Sequence, residues 1–171
     1  MNLSEHVRVI ENFPKPGIVF RDITTLLKNG PAFKESIDLI KDEFAGKNID
    51  VVVGPESRGF IFGTPVAYAM GVGFAPVRKP GKLPAEFITE EYALEYGTDK
   101  LQMHVDGITP GQRVLIVDDL LATGGTINAV VRMIHKLGGI VVGMAFVIEL
   151  EELNGRSKID KDVKIFSLLK Y

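Results

Sequence analysis

RVLIVDDLLATGGTINAVVRMIHKLGG, residues 113–139, switches from a strand-like run to a helix-like one across a glycine-rich turn. Residues 113–117 form a short apolar run of the kind found in a strand covered on both faces. Residues 126–139 read as a helix that ends at glycine. Moving outward, DVVVG (50–54), GFAPV (73–77), IVVGMAFVIEL (140–150) and VKIFSLL (163–169) read as further strands. Two more helices lie among them. Phe33, Ile37, Ile40 and Phe44 recur at helical spacing after Gly30-Pro31, with Gly46 expected to close the helix. FIFGTPVAYAMG (60–71) is apolar nearly all round and is expected as a buried helix. Alternating strands and helices with apolar strands predict a doubly wound α/β fold, a mainly parallel sheet with helices on both faces. In such sheets ligands sit at the carboxyl ends of the strands, where the PESRG (55–59) and DDLLATGGT (118–126) loops fall.

Two segments stand outside the alternation. Residues 12–27, NFPKPGIVFRDITTLL, are punctuated by Pro14, Pro16 and Gly17, so that about 1–27 reads as an N-terminal hood. Residues 79–107 are long, rich in turn residues and end in the alternating run LQMHV, as expected of a β-hairpin flap. The 171 residues suit a single domain, 1–171, with these two appendages.

Composition narrows the classes. Hydrophobic residues at 46% and charged residues at 25% are ordinary for a globular enzyme or binding protein. A net charge of −2 gives no general pull toward nucleic acid or acidic membranes, and neither is expected as a partner. The chain has no cysteine, which excludes disulfides and thiolate catalysis and fits a reducing, cytoplasmic location. No apolar run reaches the roughly 18 residues of a membrane span, and the charged start MNLSEHVRVIENF is not a signal peptide. His6, His104 and His135 show no metal-ligand spacing.

The chemistry concentrates at DDLLATGGT. In Ala122-Thr123-Gly124-Gly125-Thr126 the glycines let backbone N–H groups turn inward, two hydroxyls add donors, and a helix N-terminus favours an anion. A phosphate monoester suits that cradle. A plain strand–helix turn has the same glycines, but it does not explain Asp118 and Asp119 a few residues earlier. Ionised carboxylates only accept hydrogen bonds, so their partner must be a donor such as a sugar hydroxyl. A ribose 5-phosphate satisfies both halves. The triphosphate-binding GxxxxGK[ST] pattern and its lysine are absent.

VLIVDDLLATGGT resembles the phosphoribosyl-pyrophosphate signature of the type I phosphoribosyltransferases. FPKPGIVFRDIT, VVGPESRGFIFG, VRKPGKLP and ALEYG, in that order over about 10–155, are similar to the adenine-specific branch of that family. The resemblance implies transfer of a phosphoribosyl group to adenine, giving AMP and pyrophosphate, in a homodimer. It implies Mg²⁺ held mainly by the substrate rather than by protein ligands. Ser57, Arg58, Lys79 and Lys82 are then expected at the pyrophosphate, with a cis peptide near Ser57. Val19, Phe20 and Arg21 of the hood would meet adenine, with Leu120 on its other face. Glu95 and Tyr96 of the flap would close over the reaction centre, Glu95 helping to move a proton of the purine. Arg58, Asp118, Asp119 and Glu95 form the expected catalytic set. Ala122 stands where hypoxanthine–guanine relatives typically place an aspartate, which argues against that branch. Xanthine and orotate phosphoribosyltransferases stay open as alternatives, as does a regulator that senses phosphoribosyl pyrophosphate without catalysis. Such a regulator usually carries an added DNA-binding domain, and no basic helix-turn-helix pattern is visible.

Overall fold

Apolar runs with no polar alternation need cover on both faces, and the sheet of this chain has it. The computed structural model describes residues 1–94 and 96–171. An antiparallel ribbon, β1 (Arg8–Glu11) with β2 (Val19–Asp22), comes first, followed by helices α1 (Thr24–Lys28) and α2 (Gly30–Glu43). Then come β3 (Val51–Pro55), α3 (Arg58–Met70) and β4 (Gly73–Val77). The hairpin of β5 (Phe87–Ala93) and β6 (Thr98–His104) leads to β7 (Arg113–Leu121), α4 (Gly125–Lys136), β8 (Ile140–Glu149) and β9 (Lys164–Lys170). The central sheet has the order β4-β3-β7-β8-β9 and every pairing in it is parallel. The expected doubly wound fold, with its hood ribbon and hairpin, is therefore the observed one.

Side-chain alternation divides each buried strand between two cores. Val51, Val53, Val114 and Ile116 point to the side packed by α4, through Ile127, Val130, Met133 and Ile134. Val52, Leu115, Val117 and Val147 point to the side packed by α2 and α3, through Ile37, Ile40, Phe62 and Val66. Helix α2 starts as its sequence suggests, with the Asn29 side chain accepting from the Ala32 N–H at 3.0 Å. It ends three residues before Gly46, which lies in the following turn at φ +75°.

Strand order explains where a ligand can sit. From β3 the chain moves outward to β4, then returns on the other side of β3 to β7 and continues to β8. The connections after β3 and β7 thus leave in opposite directions and open a crevice between two neighbouring carboxyl ends. Both appendages reach this end. Arg78, just past β4, bridges to Gln102 of the hairpin. Arg21 of β2 lies over the ring of Tyr171, just past β9, at 4.0 Å.

The hairpin is fixed more firmly than a free flap. Leu101 and Met103 of β6 are buried in the core beside α4. Glu90 of β5, also buried, pairs with Arg132 at 2.8 Å and with Lys136, both on α4. The tip stands clear of this packing, with Leu94 and Tyr96 exposed.

Candidate active site

The crevice holds a cavity of about 420 Å³, and the two loops singled out in the sequence form its walls. Ser57, Arg58, Lys79, Asp118, Asp119, Leu120 and all of Ala122–Thr126 line it. Lys82 and Tyr96 are exposed and lie outside the lining, as do Val19, Phe20 and Arg21 on the hood ribbon. Phe20 packs edge-on against Phe13, with ring centroids 5.3 Å apart. Glu95 lies outside the described residues.

The apolar run 113–117 stops at Val117, but β7 continues through Asp118, Asp119 and Leu120 to Leu121 because pairing with β8 persists to Leu121 and Glu149. The two carboxylates are consequently buried, at 9% and 8% exposure, instead of hanging from a loop. Asp118 Oδ1 accepts the Asp119 N–H at 2.8 Å. Asp119 Oδ2 lies 2.6 Å from Arg58 Nε, so a residue from each wall meets across the crevice. Gly59 leaves room for the Asp118 carboxylate beside the start of α3. A Cβ there would stand 2.8 Å from the Pro55 ring and 3.0 Å from Asp118 Oδ1.

Burial, and then the neighbouring Asp119 carboxylate, raise the Asp118 carboxyl well above its ordinary value. Ionising it therefore opposes folding. That cost is absent below the ordinary carboxylate value of 3.8, grows as the pH rises above it, and levels off once the pH passes the higher folded value. Asp118→Asn keeps the oxygen that accepts the Asp119 N–H and removes the charge. It should melt at a higher temperature than wild type at pH 7.5, with the difference closing as the pH falls toward 3.8. Calorimetric scans across that range check it. A lower melting temperature at pH 7.5 would refute the desolvation argument.

The turn after β7 has the form of an anion cradle. Gly124 adopts φ +84° and caps α4, with no side chain hydrogen-bonded to the cap. The first N–H groups of α4 lack partners within the helix, as at any helix start. The residues that carry them line the cavity, together with Thr123.

Three contributors were not legible as site residues. Glu56 Oε1 accepts the Lys79 N–H at 2.5 Å and ties the two rims together. The peptide between Glu56 and Ser57 is cis, as the resemblance implied. Tyr92 lines the cavity and donates its hydroxyl to Asp99 at 3.1 Å. Asp99 also holds the Lys79 ammonium at 2.6 Å, which lowers the Asp99 carboxyl and raises the Lys79 amine from their ordinary values. Glu56 sits inside the quoted PESRG motif. Tyr92 and Asp99 had no signal, since only the folded hairpin brings them in.

The model of the phosphoribosyl transferase domain family matches residues 22–170. An adenine phosphoribosyltransferase of Clostridium beijerinckii is 60% identical over 171 residues, covering 100% of this chain and 99% of the relative. One from Clostridium perfringens has the same identity and coverage. The crystal structure of adenine phosphoribosyltransferase from Thermoanaerobacter pseudethanolicus superposes with a TM-score of 0.95 at 53% identity, over 99% of this chain and 98% of the other. That of the Saccharomyces cerevisiae enzyme, complexed with adenine and an imino-altritol bisphosphate, has a TM-score of 0.91 at 40% identity, over 97% and 96%. Similarity that close over the whole length leaves one assignment: the chain belongs to the adenine phosphoribosyltransferases.

Proposed function

We propose that this chain transfers the 5-phosphoribosyl group of phosphoribosyl pyrophosphate to N9 of adenine, forming AMP and releasing pyrophosphate, a purine-salvage reaction. One observation carries the reading. The glycine–threonine turn Ala122–Thr126 and two buried carboxylates share a cavity with Arg58 and Lys79. Kinship with enzymes of that name supports the choice of base.

On this reading Ala122–Thr126 hold the 5′-phosphate through backbone N–H groups and the Thr123 and Thr126 hydroxyls. Asp118 and Asp119 accept from the 2′- and 3′-hydroxyls and oppose the positive charge that develops at the anomeric carbon. Ser57, Arg58, Lys79 and Lys82 receive the departing pyrophosphate, whose charge calls for cations and backbone donors. Arg58 and Lys79 must exchange Asp119 and Asp99 for the substrate, so each is a cation released when its anion arrives. Adenine lies between Phe20 and Leu120, with Val19 and Arg21 at its edge. Glu95 and Tyr96 close the tip over the bond being broken, excluding water from an oxocarbenium-like centre.

Mg²⁺ fits this site as a companion of the substrate. No group of three or more His, Cys, Asp or Glu among the described residues could hold a metal unaided, and Asp119 already faces Arg58. The ion, bound to pyrophosphate and ribose oxygens, would neutralise part of the leaving group's charge. We place the protein in the cytoplasm, consistent with its lack of cysteine. Among the described residues, no helix is long and apolar enough to cross a membrane. A homodimer is consistent with the exposure of Ile61 and Tyr68, seven residues apart on α3.

Pyrophosphate release measured with adenine, hypoxanthine, guanine, xanthine and orotate tests the proposal. Adenine should give the highest kcat/KM by orders of magnitude, about 10³-fold or more where a missing hydrogen bond leaves a buried polar group unpaired. Excess chelator should abolish turnover. Comparable rates with a second base would overturn the specificity.

A further inference from the structure

Between β8 and β9 the chain makes two short 3₁₀ turns, Glu151–Leu153 and Gly155–Lys158, and the second backs the cradle. Gly155 is buried. A methyl group at its Cα would overlap the Ala122 carbonyl oxygen and stand 3.1 Å from Leu121 Cδ1. From the opposite side, a Cβ on Gly124 would come 2.8 Å from the Gly155 carbonyl oxygen. The two backbones therefore touch with no side chain between them.

A sunken ion pair holds this turn in place. Arg156 donates from Nε and Nη2 to the two carboxylate oxygens of Glu149, at 2.5 and 2.7 Å. Ser167 donates to Glu149 Oε2 at 2.6 Å, and Arg156 Nη1 donates to the Ile165 carbonyl at 3.3 Å. Glu149, the last residue of β8, is 4% exposed. Burial pushes its carboxyl up, but Arg156 and Ser167 outweigh burial and hold it below the ordinary value. A buried pair of this kind adds little net stability over well-packed apolar residues. What a two-pronged guanidinium–carboxylate contact does supply is a fixed angle.

We infer that Gly155 is a positioning residue for the phosphate cradle, set at its height by the Glu149–Arg156 pair. The turn 154–158 is a backstop. It seats the Ala122 carbonyl and Gly124 so that the first N–H groups of α4 converge on one point. This rests on reading Ala122–Thr126 as the 5′-phosphate site.

Gly155→Ala is a clean probe, because Gly155 does not occupy the left-handed region and the substitution adds only the methyl group. Binding of ribose 5-phosphate is measured by calorimetry, and KM is measured for both substrates. A displacement near an ångström should raise the ribose 5-phosphate Kd and the phosphoribosyl-pyrophosphate KM about tenfold or more. The KM for adenine should stay at the wild-type value. Glu149→Met with Arg156→Met, which replaces the pair by apolar chains, should show the same split and decides the matter if the alanine variant fails to fold. Thr126→Val serves as the control on the cradle itself. If it weakens ribose 5-phosphate while both backstop variants bind as wild type, the inference is overturned. Equal losses for adenine and phosphoribosyl pyrophosphate would also overturn it, since general loosening would then suffice. If Thr126→Val binds normally, the cradle reading falls first and the backstop with it.

Discussion

Asp118→Asn combined with Asp119→Asn lowers kcat/KM by about 10²–10³-fold, the scale on which removing preorganised charge from a transition state is felt. The amides preserve shape and can still meet a hydroxyl, so the loss isolates the charge. Arg58 adds to the effect. With Asp119 neutralised, the partner 2.6 Å from its Nε no longer restrains the guanidinium before pyrophosphate arrives. Stability moves the other way near neutral pH, because a neutral amide replaces a carboxyl whose ionisation burial opposes. Steady-state kinetics and calorimetry on the same preparation separate the two. Near-wild-type kcat/KM in the double variant would sink the ribose-hydroxyl role.

The second large effect concerns the hairpin tip. Removing the whole of 79–107 would strip Leu101 and Met103 from the core and break the Glu90 pairing with Arg132 and Lys136, so its outcome would reflect misfolding. Replacing only residues 94–97 with glycine and serine leaves those anchors alone. Turnover should then fall by about 10²–10⁴-fold, the contribution of a positioned proton-transfer group together with lost water exclusion. AMP affinity should hold, since the cradle is intact. Residual turnover should shift toward hydrolysis, read as ribose 5-phosphate formed without AMP. Amide exchange across the tip should slow when both substrates bind. Unchanged turnover in the linker variant, or exchange indifferent to substrates, would remove the tip from the reaction.

The parallel sheet was legible because its strands are short apolar runs, and each divides its side chains between two cores. β7 runs longer than its apolar stretch because hydrogen bonding to β8 continues beneath two aspartates, and composition cannot register that. β1 went unread for the opposite reason. Its residues 8–11 are mostly exposed in a two-stranded ribbon and carry no core-facing pattern. The DDLLATGGT and PESRG walls could be found because glycine, threonine and acid at a strand exit have a local chemical reason. Contacts such as Lys79 with Asp99, or Gly155 with Ala122, join residues more than 15 positions apart, and their geometry exists only after folding.

Helix α4 has a role that its packing alone does not suggest. Its N-terminal end carries the cradle, and Arg132 and Lys136 on its flank hold the hairpin. The last residues of β5 touch the cradle, for a Cβ on Gly125 would lie 3.5 Å from the Ala93 carbonyl and 3.7 Å from the Tyr92 ring. On the proposed reading, the phosphate seat and the base of the hairpin are thus both anchored to α4, and the spacing between them would act as a ruler. A sugar phosphate one carbon shorter or longer than a pentose 5-phosphate could fill the same seat with the same charge, yet would bring its anomeric carbon up short of the tip or past it. Selection among sugars would then be a measurement of length.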